Sequence, residues 1–208
     1  MSFTALLKLC TTALILSYSP EIKEKVGTAG ELITDYSQRQ AKSYSGELMQ
    51  KGRAGEVVVL EWLKKSPFAK EIIDMREFRI SQRIDVDCGI ETLDGALLLA
   101  EIKTDYNLGK TGNFLFEFFR INHYAKADKV FYLGWTFRSP AKYLLYYSPN
   151  ENIIYHFTFR DIRETIGKYV AKVKPQIIVV PTDERKTTFN ILIPQSVFNG
   201  KVQRFKLT

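Results

Sequence analysis

The chain reads as an α/β protein with a central mixed β-sheet flanked by helices and a helical segment added at the N-terminus. Three observations carry that expectation. Residues 82–105 read as two strands joined at Asp94-Gly95, a dipeptide suited to a tight turn. Leu97, Leu98, Leu99 and Ala100 form an unbroken apolar run, the mark of a strand buried on both faces. Upstream, Val57, Leu60 and Leu63 recur at helical spacing in a segment that Ser45 can cap.

The elements follow in order. MSFTALLKLCTTALILSY has only Lys8 before its apolar run and no clear small–x–small cleavage site, so an amphipathic or buried helix is expected rather than a signal peptide. It is also too short and too interrupted for a membrane span. Ser19-Pro20 breaks that helix, and a second should run from Glu21 to about Gln40, weakened by Gly27 and Gly30. Residues 1–44 thus form an N-terminal helical segment, and 45–208 the main domain with a β-rich C-terminal extension. A third helix runs to Lys65, followed by strands near 71–79, 82–90 and 96–103.

After a polar loop at 105–112, the aromatic residues Phe114, Phe116, Phe118 and Phe119 are assigned to the core. Glu117 in that run needs a partner, for which the active site is the expected place. A strand at 130–136 precedes a hairpin, 142–148 and 152–157, around Pro149-Asn150. Thr158 with Asp161 is a weak capping box opening a helix to about Val170. Strand-like pieces at 175–180, 187–193 and 201–207 complete the chain.

With 208 residues, 45% of them hydrophobic, one sizeable core is within reach. A formal charge of +7 suits a polyanionic partner without proving one. Cys10 and Cys88 make no disulfide or metal pattern, so both are expected reduced, in a cytoplasmic setting. With only His123 and His156 present, histidine-based zinc or base chemistry has little support.

The chemistry concentrates in 82–105. Residues two apart on a strand share a face. Asp85 and Asp87 are therefore expected to project together, as are Glu101 and Lys103, with Asp105 following. Either pair alone is more often a wet sheet edge than a site. A Glu and a Lys at the end of a buried strand, however, are costly unless paired or metal-bound. Carboxylates beside one lysine can hold a hard divalent cation and position a water next to it.

This arrangement resembles the PD-(D/E)XK nuclease superfamily. Asp85 or Asp87 stands for the family's aspartate, and Glu101-Ile102-Lys103 fills the acid–x–Lys slot. Gly52-Arg53-Ala54-Gly55-Glu56-Val57-Val58 is similar to the first-helix segment, whose glutamate assists at the active site. Thr111-Gly112-Asn113-Phe114-Leu115-Phe116-Glu117 resembles a stretch that follows the lysine strand in phage and homing-type members. The resemblance covers about 48–136. The eponymous proline is missing: Ile84 precedes Asp85 and Val86 precedes Asp87, which leaves open which aspartate is the ligand, with spacing leaning to Asp87.

The resemblance implies a restriction-endonuclease-like core and metal-dependent hydrolysis of phosphodiesters, with DNA ahead of RNA. Glu101 with Asp85 or Asp87, and the Ile102 carbonyl, would hold Mg2+, with Mn2+ able to substitute. Lys103 would orient the attacking water, and Glu56 would assist. Lys51, Arg53, Arg83 and Lys110 flank the motifs and are the expected phosphate contacts. A catalytically inactive nucleic-acid-binding module, an RNA- or junction-directed nuclease, another metal-dependent hydrolase and a structural protein are the rival readings. Because cutting both strands calls for two sites, a homodimer or higher homo-oligomer also stays open.

Overall fold

Helix α1, over residues 49–64, lies across one face of a six-stranded sheet, and a second sheet of four strands closes the other face. These features come from a computed structural model that describes residues 46–47, 49–124, 128–173, 176–183 and 186–207. The helices expected before residue 45, and Cys10 with them, lie outside the described residues.

After α1 come β1 (Ala69–Asp74), α2 (Arg79–Ile84), β2 (Cys88–Thr92), β3 (Leu97–Thr104) and the single turn α3 (Leu108–Thr111). The chain continues through β4 (Asn113–Tyr124), β5 (Asp128–Leu133), the short α4 (Trp135–Arg138), β6 (Tyr143–Ser148) and β7 (Ile153–Thr158). Helix α5 (Phe159–Val170), β8 (Gln176–Asp183), β9 (Lys186–Pro194), a 3-10 turn (Gln195–Phe198) and β10 (Gln203–Lys206) complete it. The large sheet runs β1-β2-β3-β6-β7-β10 and the small one β5-β4-β9-β8. Only β3 and β6 pair in parallel among the described residues. The sheet is therefore mixed and flanked by helices, as the sequence suggests.

The alternation of side chains explains the two cores. Ala100 and Ile102 of β3, Leu145 and Tyr147 of β6 and Ile154 of β7 face α1, where Val59, Leu60 and Leu63 meet them. Leu144 and Tyr146, with Tyr155 and Phe157, face the other way. There they pack on Phe114, Phe116, Ile191 and Ile193 of the second sheet and on Ile162 and Ile166 of α5. Each of these large side chains contributes roughly 1.5–3 kcal/mol on burial. The expected hairpin at 142–157 and the expected α5 both form. At α5 the N-cap half of that box forms: Thr158 Oγ1 accepts from the Asp161 N–H at 3.0 Å, while its hydroxyl rather than its backbone N–H donates to the Asp161 carboxylate, at 2.7 Å.

Two expectations need correction. The strands expected over 71–79 and 82–90 form only in part; β1 stops at Asp74, residues 79–84 wind into α2, and β2 starts only at Cys88. Ile80 and Ile84 stand four apart, which suits a helix as well as Ile84 and Val86 suit a strand. Asp85 decides the matter by adopting φ +55°, closing the helix with its N–H on Ser81 O. The apolar run at 97–100 is also buried only toward its end, since Leu97 is exposed and Ala100 fully covered. No helix among the described residues is long and apolar enough to cross a membrane.

Candidate active site

Strand β2 ends before β3 does, and the site is built in the gap. Cys88 pairs with Ala100. Beyond it the Asp87 N–H still reaches Ala100 O at 3.0 Å, and the Asp87 carboxylate accepts the Ile102 N–H at 2.7 Å. A side chain thus replaces the missing strand. Within a strand a residue's N–H and C=O point to the same side, so the Ile102 carbonyl also faces Asp87 rather than β6.

Glu101 and Lys103 lie on the face of β3 opposite α1, and the two side chains form an ion pair. Glu101 is only 2% exposed, while Lys103 still reaches solvent. Lys103 Nζ also lies 5.4 Å from the centre of the Trp135 ring, a cation–π contact from α4. The other Glu101 oxygen, Oε2, is buried with no hydrogen-bond partner. Leaving a carboxylate oxygen buried and unpaired is costly.

Helix α1 brings Glu56 to the same place. Gly55 allows the approach: a Cβ there would lie 2.1 Å from Thr104 Oγ1 and 2.8 Å from Thr104 Cβ. Glu56 is half-buried and meets Arg76 at 3.5 Å, while Arg76 holds Asp74 at 2.7 Å.

The electrostatics tie these groups together. Burial pushes the Glu101 carboxyl up to about 8; the nearby Lys103 opposes that shift and Asp87 adds to it. For Lys103, burial disfavours the ammonium, but the carboxylates of Glu101 and Asp87 outweigh it and hold the amine charged. Burial and then Asp87 push the Glu56 carboxyl up, against Lys103 and Arg76. Even the Cys88 thiol, buried beside Asp87, Asp74 and Glu101, is pushed to about 12.

Of the residues expected here, Glu56, Asp87, Glu101, Ile102 and Lys103 are brought together. The expectation that Asp85 and Asp87 share a strand face is overturned. Asp85 caps α2, and its carboxylate takes two bonds from Arg138, one of them at 2.7 Å from Nε. Glu117 does not join the cluster either; it pairs with Arg120 at 3.1 Å. Asp105, just past β3, accepts the Tyr146 hydroxyl at 2.7 Å.

A cavity of about 310 Å3 opens beside Lys103, lined by Lys51, Thr104, Asp105, Tyr106 and Trp135 among others. Lys51 thus lies at the cavity, paired with Glu47 at 2.5 Å, whereas Arg53 and Lys110 are exposed elsewhere on α1 and α3. Arg76, Trp135 and Arg138 did not stand out in the sequence. Their positions depend on contacts between distant segments, and no local pattern announces them.

Among the described residues no three His, Cys, Asp or Glu side chains form a ready-made metal cage. The donors present nevertheless fit a hard cation of low protein-ligand demand: Asp87, the orphaned Glu101 Oε2 and a strand-end carbonyl are all oxygen. Mg2+ is held by one or two carboxylates, with waters and substrate phosphates completing its shell.

No family model matches the chain, and no curated protein matches it. Among solved structures it is similar to a bacterial homing endonuclease, I-Ssp6803I, with a TM-score of 0.43 at 16% identity, covering 57% of this chain and 74% of that one.

Proposed function

We propose that the protein is a metal-dependent endonuclease that hydrolyses phosphodiester bonds of DNA, with Mg2+ as its ion and Mn2+ able to substitute. The observation that carries this reading is the buried, unpartnered Oε2 of Glu101, whose other oxygen pairs with Lys103 and whose carboxyl feels the charge of Asp87. An acid so placed is a liability for the fold and an asset for a cation. Asp87 and Glu101 would hold the ion, with the Ile102 carbonyl beside them. Bound there, the ion would acidify a water and neutralise the leaving oxygen.

The other steps belong to the chain's own groups. Lys103 faces solvent beside the cavity and stays charged against its burial. Its compact ammonium would orient the attacking water and stabilise charge growing on the phosphate. Glu56, its carboxyl raised by burial and by Asp87, would take up or return a proton. Asp85 is a positioning residue in this scheme: it anchors Arg138 and so α4, whose Trp135 lies under Lys103.

Incubation of the purified protein with plasmid DNA and Mg2+, with EDTA as control, tests the reading. Nicking or linearisation is expected only with the metal. Glu101→Gln, Lys103→Ala and Asp87→Asn should each lower the rate by roughly 10²–10³-fold, the scale of losing one electrostatic contact to the transition state. Asp85→Asn should lose far less. Full cleavage by the Glu101 or Lys103 variant would sink the proposal.

A further inference from the structure

Helix α2, absent from the expected secondary structure, carries Arg79, Gln82 and Arg83 at positions three and four apart, so they share one helix face. That face forms one wall of a second cleft, of about 580 Å3, whose other lining residues are Arg120 of β4 and Arg138 of α4. Four guanidiniums therefore surround one open cleft. Two are already matched, Arg138 by Asp85 and Arg120 by Glu117. Arg79 and Arg83 are exposed and have no acidic or hydrogen-bonding partner among the described residues. Arg120 also has an unmet donor, since its Nε is buried with no partner.

This arrangement works against the fold. Like charges four apart weaken a helix by a few tenths of a kcal/mol, and α2 is only six residues long with no acid in its first turn. A bound polyanion would remove that repulsion. Guanidinium groups suit it, because their planar forks bind phosphate oxygens in pairs. The cleft also adjoins the acid cluster: Arg138 lines it and holds Asp85, whose charge is felt by Glu101 and Lys103.

We infer that this arginine cleft binds the phosphate backbone of the nucleic acid beside the point of cleavage, with Arg79 and Arg83 making direct phosphate contacts. The inference rests on the proposed nuclease reading for its substrate, but the cleft works without metal. It gives Arg83, expected as a phosphate contact, three arginine neighbours, while Arg53 and Lys110 lie outside the cleft.

The test is binding of a short fluorescent DNA duplex in EDTA, followed by anisotropy across a salt titration, for wild type and the Arg79→Gln/Arg83→Gln double variant. Both side chains are exposed, and circular dichroism checks that the variant is folded. Each phosphate contact contributes about 0.9 to the log–log salt slope on duplex DNA, so the variant's slope should be shallower by about 1.8, with weaker binding at every salt concentration. A slope and affinity equal to wild type would overturn the inference, as would an acidic polypeptide that displaces the duplex as well as unlabelled DNA does. The two readings separate cleanly. If wild type never cleaves but the slope changes as expected, the catalytic proposal falls and the cleft stands. If cleavage depends on Glu101 while the slope does not move, the cleft falls alone.

Discussion

Glu101 in the large sheet and Glu117 in the small one are both buried carboxylates on strands, each paired with a cation from its own strand. Their circumstances differ in what is left over. Glu117 meets Arg120 across an irregularity in β4 between Glu117 and Phe119. An extra residue in a strand shifts the alternation, which brings a residue three further on to the same side. No oxygen of Glu117 is left buried and unpartnered. Glu101 pairs with Lys103 through the ordinary two-residue alternation, yet one oxygen remains orphaned and two further carboxylates lie near. A buried acid–base pair is thus no sign of chemistry by itself. The unspent oxygen and the crowd of like charges are.

Paired substitutions should separate Glu101 from Glu117 most widely. Glu101→Gln should abolish most metal-dependent cleavage, by roughly 10²–10³-fold, while raising the melting temperature of the metal-free protein, because a neutral amide replaces a buried acid. Glu117→Ala should do the reverse. It leaves the half-buried Arg120 without its partner, which costs about 1–3 kcal/mol, and cleavage by the folded fraction should persist. Thermal melts and plasmid assays on the two variants decide the matter. Loss of cleavage in both, or a fall in melting temperature in both, would place the two pairs in one class.

Acidity sharpens the same contrast. The Glu101 carboxyl sits at about 8 in the folded protein against an ordinary 4.5, so between those values the folded state holds a proton that the unfolded state has released. Stability of the metal-free protein therefore falls as pH rises through that window, by up to about 1.4 kcal/mol per pH unit for one proton. Above about 8 the contribution levels off. Lys103 stays charged through this window and adds no slope of its own. Denaturant melts across the window should show the decline in wild type and lose most of it in Glu101→Gln. An unchanged decline in the variant would assign the proton elsewhere.

Much of this was legible in the sequence wherever the cause is local. Alternation alone puts Glu101 and Lys103 on one face, and the Thr158–Asp161 spacing alone starts α5. Glu56 was legible through its neighbour Gly55 and the resemblance of the surrounding helix. Asp85 was misread because its segment satisfies both periods, and one left-handed residue chose the helix. That choice also hid the arginine cleft, since Arg79 and Arg83 share a face only if α2 is helical. Arg138 could not be found from pattern at all: it lies 53 residues from Asp85 in the chain. The second sheet was equally hidden, since β4 pairs with β9 across a long separation that no local signal encodes.

The smallest expected effect concerns how Glu56 is delivered rather than what it does. Helix α1 approaches β3 so closely at Gly55 that an added methyl would overlap Thr104 at its Oγ1, Cγ2 and Cβ atoms, the last at 2.8 Å. Turning the Thr104 side chain moves the first two but leaves the Cβ in place, so relief requires the helix to lift from the sheet. Gly55→Ala should therefore lower stability by about 1–3 kcal/mol, the usual cost of overpacking. Because Glu56 is the next residue, it should also slow cleavage, although alanine is the better helix former. The alternative outcome is informative in the other direction. Helix propensity favours Ala over Gly by about 1 kcal/mol, so a variant that melts higher than wild type and cleaves as well would mean that α1 can shift freely. Close seating of the helix on the strand end would then be no requirement of the site, and Glu56 would lose its place among the working residues while Asp87, Glu101 and Lys103 kept theirs.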